Sequence, residues 1–514
     1  MSSATRYCAG KRRHDVLRRQ ALVNGLIIAL AACSGCAVGP NFHRPAPPQT
    51  DRYTAQSMHV ASADTAAQPE APATSAPAAD SMEQSFVLGQ NPQTDWWRGF
   101  GSDAINALIE ESLKANPTVQ AAEATLRQAR ENVAAQRGLY FPTVQASAGA
   151  SKNRDAVQVL SPTLASGAAT YALYTPQLTV ALVPDVFGAN RRQVESLQAL
   201  VDVSRYQYDA AYLTLITNVL SAAIQEAGYR AQVEATEQVI ALERQSLEVA
   251  QRELDLGAIA EADVLAQDAA LAQAQSTLPP LRKSMDQQHD MLAALTGQLP
   301  GDAQIDPIQL DELTLPMAIP VGVPSKLVER RPDVRAAEAQ LHSATAAVGV
   351  TIANMLPQIT LSGAIGNVAT ETNQLFTNLT EFWTVGASLS QTLFQGGTLY
   401  HRERAARAAV DVAGAQYRQA VLTAFQNVAD ALRALAADGD AVHAEDRAYA
   451  TSQASLAIVR QQYALGAVSY LALLNAQQTY QQAVIGRAQA LMNRYADTAA
   501  LYLALGGSAP DPRG

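Results

Sequence analysis

Three cysteines are the only thiols in this 514-residue chain, and all lie in its first 36 positions: Cys8, Cys33 and Cys36. Cys33 follows Leu30-Ala31-Ala32, and Cys36 follows Ser34-Gly35. Small residues ahead of a cysteine give a lipoprotein signal peptidase a slim chain to cut, and the thiol gives an acyl transferase a place to attach lipid. Beyond Cys36 the chain offers no disulfide and no thiolate metal site. Its seven histidines are scattered, and His342 and His443 read as exposed helix residues rather than ligands. There is no Ser/His/Asp grouping, no HExxH, no Gly-x-x-x-x-Gly-Lys and no carboxylate cluster on a turn. The expectation is a protein that is not an enzyme and uses no cofactor or metal. The remaining informative residues shape backbone: Leu256-Gly257-Ala258 and Leu465-Gly466-Ala467, where glycine permits a tight turn and close approach of another chain.

The segment around the cysteines is an address. Arg12, Arg13, Arg18 and Arg19 precede the apolar run Ala21 to Ala32, the charged and apolar parts of a secretory signal too short to span stably as a helix. No aspartate follows either cysteine, so nothing points to inner-membrane retention. Residues 1–36 hold six basic residues and one acid, and removing that net +5 from the chain's −10 leaves −15. So acidic a chain, without a basic stripe, does not bind nucleic acid. Charged residues are only 16% and aromatics 6%, and alanine is abundant, a composition suited to closely packed long helices.

The elements that carry the two Leu-Gly-Ala breaks are long helices. Before the second break, Tyr417, Val421, Phe425, Val428, Leu432 and Leu435 recur at steps of three and four, one helical face. No proline lies between Gly397 and Leu505. The arm would be on the order of 100 Å long, far beyond an ordinary globular helix. The hairpin has a twin. Asn116-Pro117-Thr118-Val119 returns as Arg331-Pro332-Asp333-Val334, Phe141-Pro142 as Leu356-Pro357, Val201-Asp202-Val203 as Val410-Asp411-Val412, and the first Leu-Gly-Ala as the second. The chain is therefore a tandem duplication of a unit of about two hundred residues. In each unit a helix opens at the proline, where a missing N–H costs little. Next come alternating strands, at about 143–152 and 175–183, then about 358–367 and 382–392. The long hairpins follow, at 188–297 and 397–505.

Four strands of about ten residues, apolar on one face and small or polar on the other, carry the pattern of transmembrane barrel strands. Four cannot close, and open edges are not tolerated in lipid, so the sequence demands an oligomer. A trimer gives twelve strands and twelve long helices. The remaining organisation is a cleaved 1–36, a flexible tether over 37–94, a first repeat over 95–300, a linker over 301–325, a second repeat over 326–507 and a disordered tail over 508–514. Order is expected to begin near Asp95-Trp96-Trp97.

Taken together, Cys36-Ala37-Val38-Gly39-Pro40-Asn41-Phe42-His43-Arg44-Pro45, the Trp96-Trp97 entry, the duplicated helix–strand–strand–helix unit and the two tips resemble the outer-membrane efflux proteins, closest to the lipoprotein branch that serves resistance-nodulation-division pumps. The resemblance covers about 36–507. It implies a mainly α fold with transmembrane β: a trimeric twelve-stranded barrel in the outer membrane continued by a twelve-helix periplasmic barrel, belted by the linker and chain ends. It favours Cys36 as the lipidated residue, whereas the local cleavage pattern favours Cys33. It implies a passive channel for small toxic compounds, partnered by a periplasmic adaptor, an inner-membrane pump and outer-membrane lipid. A type I protein-secretion duct, or efflux dedicated to aromatic acids such as fusaric acid or to metal ions, are the alternatives. The tips Leu256, Gly257, Ala258, Leu465, Gly466 and Ala467 would meet the adaptor. Leu471 and Asn475 would ring the periplasmic constriction, with Asp263 and Tyr463 latching the tips. The chain departs from the family at two places: relatives commonly have aspartate where Asn475 stands, and Val468 replaces an arginine found on some second tips.

Overall fold

The computed structural model describes residues 37–50, 52–54, 60–61, 84–90, 92–154 and 170–507. Cys8, Cys33, Cys36 and the tail 508–514 lie outside them. Chain contacts divide the protein into two compact units. One holds the chain through Arg44 with Leu126–Val203 and Glu338–Gln416. The other holds Pro45–Thr125, Ser204–Ala337 and the chain from Tyr417 onward.

The helices are α1 (Asp103–Ala115), α2 (Pro117–Gly138), α3 (Ala189–Asp255), α4 (Glu261–Leu295), the one-turn α5 (Pro324–Leu327), α6 (Pro332–Ala353), α7 (Thr398–Ala464) and α8 (Tyr470–Ala504). The strands are β1 (Val60–Ala61), β2 (Ser85–Leu88), β3 (Thr143–Arg154), β4 (Thr170–Leu182), β5 (Ala318–Val321), β6 (Gln358–Asn367) and β7 (Glu381–Ser390). Each repeat runs helix, two strands, 67-residue helix, 35-residue helix. At about 1.5 Å per residue each longer arm spans on the order of 100 Å.

In the first unit, β3-β4-β6-β7 form one antiparallel sheet. Its register sorts the side chains by face. Val144, Val180, Gly363 and Val385 form one row across the sheet, and Ala146, Leu178, Ile365 and Trp383 the next. Between them, pointing the other way, run Gln145, Thr179, Ala364 and Thr384. Period-two alternation in each strand is thus in phase over the whole sheet, giving one apolar and one small or polar face. Trp383, Val385 and Leu389 are 70% or more exposed. β3 and β7 are the edges.

The same unit binds a segment that the sequence reads as part of a flexible tether. Val38 N donates to Phe187 O at 3.2 Å. Buried Arg192 donates to Val38 O (3.1 Å), Gly39 O (3.3 Å) and Asn41 Oδ1 (2.7 Å). Phe42 stacks on His342 with centroids 4.5 Å apart, and Arg44 pairs with Glu338 at 3.1 Å. His342 is accordingly half-buried between a ring and Glu195 Oε1 at 3.1 Å, whereas His443 is exposed. Low apolar content argued for a tether, but backbone carbonyls meeting one guanidinium need no apolar residue.

The second unit carries the main core. Trp96 stacks on Tyr502 at 4.7 Å, and Phe100, Ile105, Ile109, Ile216, Ile224 and Leu435 are fully buried around it. A parallel sheet, β1-β2-β5, pairs Phe86 with Ile319. Tyr495 OH donates to Leu313 O at 2.7 Å, and Thr314 N to Phe100 O at 3.0 Å. The first bond ties the 301–325 linker to α8 and the second ties it to the turn at Trp96–Phe100. α4 contains Pro279 and Pro280, which remove the mid-helix N–H donors to the carbonyls of Gln275 and Ser276; just before them the Ser276 and Thr277 hydroxyls donate to the carbonyls of Gln273 and Ala274.

Candidate functional site: the hairpin tips and the start of the returning helix

Both breaks are built alike. Gly257 and Gly466 have φ of 69° and 71°, the left-handed region where a side chain is strained. Ala258 N donates to Glu253 O and Ala467 N to Gln462 O, both at 2.8–2.9 Å, closing the last turn of α3 and of α7. Leu256 and Leu465 are 84% and 76% exposed, an unusual position for leucine. Ala258 and Ala467 are exposed as well. All six tip residues therefore stand open on the chain.

After each tip the return helix is capped differently. Asp263 Oδ2 accepts from Ala260 N at 3.2 Å, so this carboxylate is engaged at the start of α4. Ser469 Oγ accepts from Ala472 N at 3.4 Å at the start of α8. Tyr463 and Asp263, each expected to latch the tips, take different partners: Tyr463 OH donates to Glu253 Oε2 at 2.6 Å. Burial, then the Glu253 hydrogen bond and charge, push the Tyr463 phenol well above its ordinary range, so it remains the donor. Glu253 sits on the last turn of α3, whereas Asp263 points at an N-terminal N–H.

The start of α8 has two faces. Tyr470, Leu473, Leu474 and Gln477 are buried with Leu456, while Leu471 and Asn475 are exposed one turn apart. The hydrophobic face is the one that packs, so exposed Leu471 (60%) presents an apolar group and Asn475 an amide on the side turned away from the hairpin partner. Tyr470's phenol is also raised, chiefly by burial and then by Glu243.

Two glutamines missed in the sequence reading bind α3. Gln267 donates to Glu243 O at 2.9 Å and Oε2 at 2.5 Å. Burial raises the Glu243 carboxyl, and Gln267 opposes that rise. Gln477 Nε2 donates to Ser246 Oγ at 3.0 Å. The signal for Gln477 was present: an amide in the stripe Tyr470, Leu473, Leu474, Gln477 falls where a core residue belongs, and a buried amide needs a partner.

Among the described residues no group of three or more His, Cys, Asp or Glu is placed to hold a metal, and no helix is long and apolar enough to cross a membrane. The four-stranded sheet is a separate matter: it presents an apolar face and two edges.

The family model described as "Outer membrane efflux protein" matches residues 108–298 and 323–507. "Nodulation protein T" of Rhizobium leguminosarum bv. trifolii is 25% identical over 476 residues, covering 92% of this chain and 94% of that protein. "Pyoverdine export outer membrane protein OpmQ" of Pseudomonas aeruginosa is 26% identical over 443 residues, covering 85% and 93%. Among solved structures, the outer-membrane channel OprN superposes with a TM-score of 0.79 at 29% identity, covering 92% of this chain and 99% of that one.

Proposed function

The chain belongs to the outer membrane efflux protein family, and on that premise we propose how copies of it make a working duct. It is an outer-membrane channel of an efflux system and not an enzyme. Three chains close the duct. The observation that carries this is the sheet: four strands, edges at β3 and β7, and an apolar face exposed from Val144 to Leu389. Unpaired N–H and C=O groups in lipid cost several kcal/mol each, about as much as half a dozen buried methylenes gain, so the edges must pair. Three sheets give twelve strands with the apolar rows toward lipid and the Gln, Thr and Ser rows inward. The paired hairpins give twelve helical staves. Sedimentation of the detergent-solubilised protein is expected to return three chains per particle; a monodisperse single chain would overturn the reading.

The tips Leu256-Gly257-Ala258 and Leu465-Gly466-Ala467 form the periplasmic mouth and meet the adaptor, which links the duct to an inner-membrane pump. Exposed leucines and glycine backbone suit a helical-hairpin partner that packs closely. Leu471 and Asn475 ring the constriction just inside. With asparagine in place of an acid, the ring carries no charge of its own. Asn475→Asp in all three chains is expected to raise cation over anion permeability of the reconstituted channel, because three carboxylates focus a negative potential in a narrow passage. Unchanged ion selectivity in planar bilayers would remove Asn475 from the constriction.

Cys36 carries the lipid, with Cys33 the alternate. Val38, two positions after Cys36 in the sequence, is held at the corner after β4 by Phe187 and Arg192. The cargo is a class of small compounds; one relative is named for pyoverdine export, and energy for transport comes from the pump.

A further inference from the structure

We propose that Gln477 is a positioning residue of the gate. Its buried amide, bonded to Ser246, fixes the rotation of α8 about its axis and thereby the direction in which Leu471 and Asn475 point. The inference rests on the constriction assigned above and names what holds it.

Gln477 is 4% exposed and lies two positions after Asn475, on the opposite face of α8. Its Nε2 reaches Ser246 on α3 at 3.0 Å. Ser246 Oγ already donates to Leu242 O at 3.0 Å, so it meets the amide as an acceptor, and the direction of the bond is set. This bond joins the first two turns of α8 to α3, whereas the Tyr480–Tyr449 hydrogen bond one turn later joins α8 to its own hairpin partner α7. The Tyr463–Glu253 bond also binds the second hairpin to α3, but from α7, before the break. It can hold the tip while α8 turns; the Gln477 bond cannot.

The surroundings leave α8 room to turn. An open groove of about 340 Å3 adjoins the bond, walled by Leu242, Val249, Tyr463, Tyr470, Leu473 and Gln477. Gln477 Oε1 and Tyr470 OH are buried there without a protein partner. Leucines alone would let α8 slide in small steps between similar packings. A directed amide bond has one good geometry and fails sharply outside it. That is the property a two-state gate requires. Asp268 on α4 and Ser455 on α7, equivalent by position to Gln477 and Ser246, make no such bond among the described residues; α4 is instead tied to its own hairpin partner α3 by Gln267 and Glu243.

Gln477→Leu keeps the volume and removes the amide; Ser246→Ala removes the acceptor. In planar bilayers each is expected to raise the open probability about fivefold, the shift that loss of one hydrogen bond carries. The double variant should match either single one, and Ser246→Thr, which keeps the hydroxyl, should stay at the wild-type level. Thermal melting of the particle is measured alongside, so that a gain in opening at unchanged melting separates positioning from damage. Wild-type open probability in Gln477→Leu, or additive gains in the double variant, would overturn the proposal. If Asn475→Asp changes selectivity while Gln477→Leu changes nothing, the constriction stands and this inference alone falls. If Gln477→Leu opens the channel while Asn475→Asp leaves selectivity untouched, α8 still gates, and the ring lies elsewhere on it.

Discussion

Asn116 and Arg331 occupy equivalent places in the two repeats, and each sits where two shorter helices meet end to end. In the first repeat one residue does two jobs: Asn116 Nδ2 donates to Leu295 O at the end of α4 (2.9 Å), while its Oδ1 accepts from Thr118 N at the start of α2 (2.8 Å). In the second the jobs are divided. Arg331 Nη1 donates to Ala504 O at the end of α8 (3.0 Å) and to Ala424 O on α7 (3.4 Å), and Asp333 Oδ1 caps the start of α6 through Val334 N (2.9 Å). Arg331 and Asp333 are themselves paired at 2.7 Å. Gly297 and Gly506, both at positive φ, let the chain turn beside these joints, with Ala115 O and Arg331 Cγ each 3.0 Å from where a Cβ would sit. The lesson of the difference is that a duplicated joint keeps its geometry while its chemistry drifts. The arginine version draws a third helix, α7, into the joint, which the asparagine version leaves out.

The largest break in that comparison should come at Arg331. Arg331→Leu leaves Ala504 O without this donor, removes the second donor on Ala424 O and leaves Asp333 without its partner, a loss of about 3 kcal/mol. Asn116→Leu removes one donor and one cap and should cost about half as much. Thermal unfolding in detergent, followed by far-UV circular dichroism, should rank the two in that order. Equal losses would mean that α7's share of the arginine joint contributes nothing.

The duplication itself is what made the fold legible. Two copies of X-Pro, of an alternating strand pair and of Leu-Gly-Ala reinforce one another, so weak periodicity in Thr143–Ala150 could be read through its stronger twin at Gln358–Ile365. The tips were legible for the same reason: glycine at a break between helical faces has few other uses. What the sequence hid lies where the repeats differ. The β2–β5 pair joins Phe86 to Ile319 over a long separation through four-residue strands, one containing Pro320, and no local pattern announces such pairing. Glu253 could not be chosen as the partner of Tyr463 because its own repeat-mate is Gln462, and a bond between non-equivalent positions leaves no trace in the internal alignment. The same holds for Gln477 and Ser246. Repeat symmetry reveals the scaffold, and departures from it mark the contacts that treat one hairpin differently from the other.

Charge in the hairpin interiors shows the same drift, with a smaller consequence. The first repeat keeps its buried ion pair within α3, between Glu226 and Arg230 one turn apart. The second spreads charge between helices: Arg494 on α8 donates to Leu435 O on α7, and Asp438 on α7 shares a hydrogen bond with Asp497 on α8. At the positions equivalent to that acid pair the first repeat has Tyr229 and Gln288. Burial, then the Asp497 hydrogen bond and charge, push the Asp438 carboxyl up to about 6, against the pull of Arg494. The folded protein therefore holds this proton more tightly than the unfolded chain, whose aspartates titrate near about 4. The resulting stability is fully present below about pH 4 and is lost as the pH rises through about 6. Both carboxyls are partly exposed, so the swing should stay below about 1 kcal/mol. Melting temperatures measured between pH 4.5 and 7 should fall in the wild-type protein. They should be flatter in Asp438→Asn, and equally so in Asp497→Gln, which restores the first repeat's residue. A slope that survives both substitutions would place the titrating group elsewhere and leave the two hairpins alike in their response to acid.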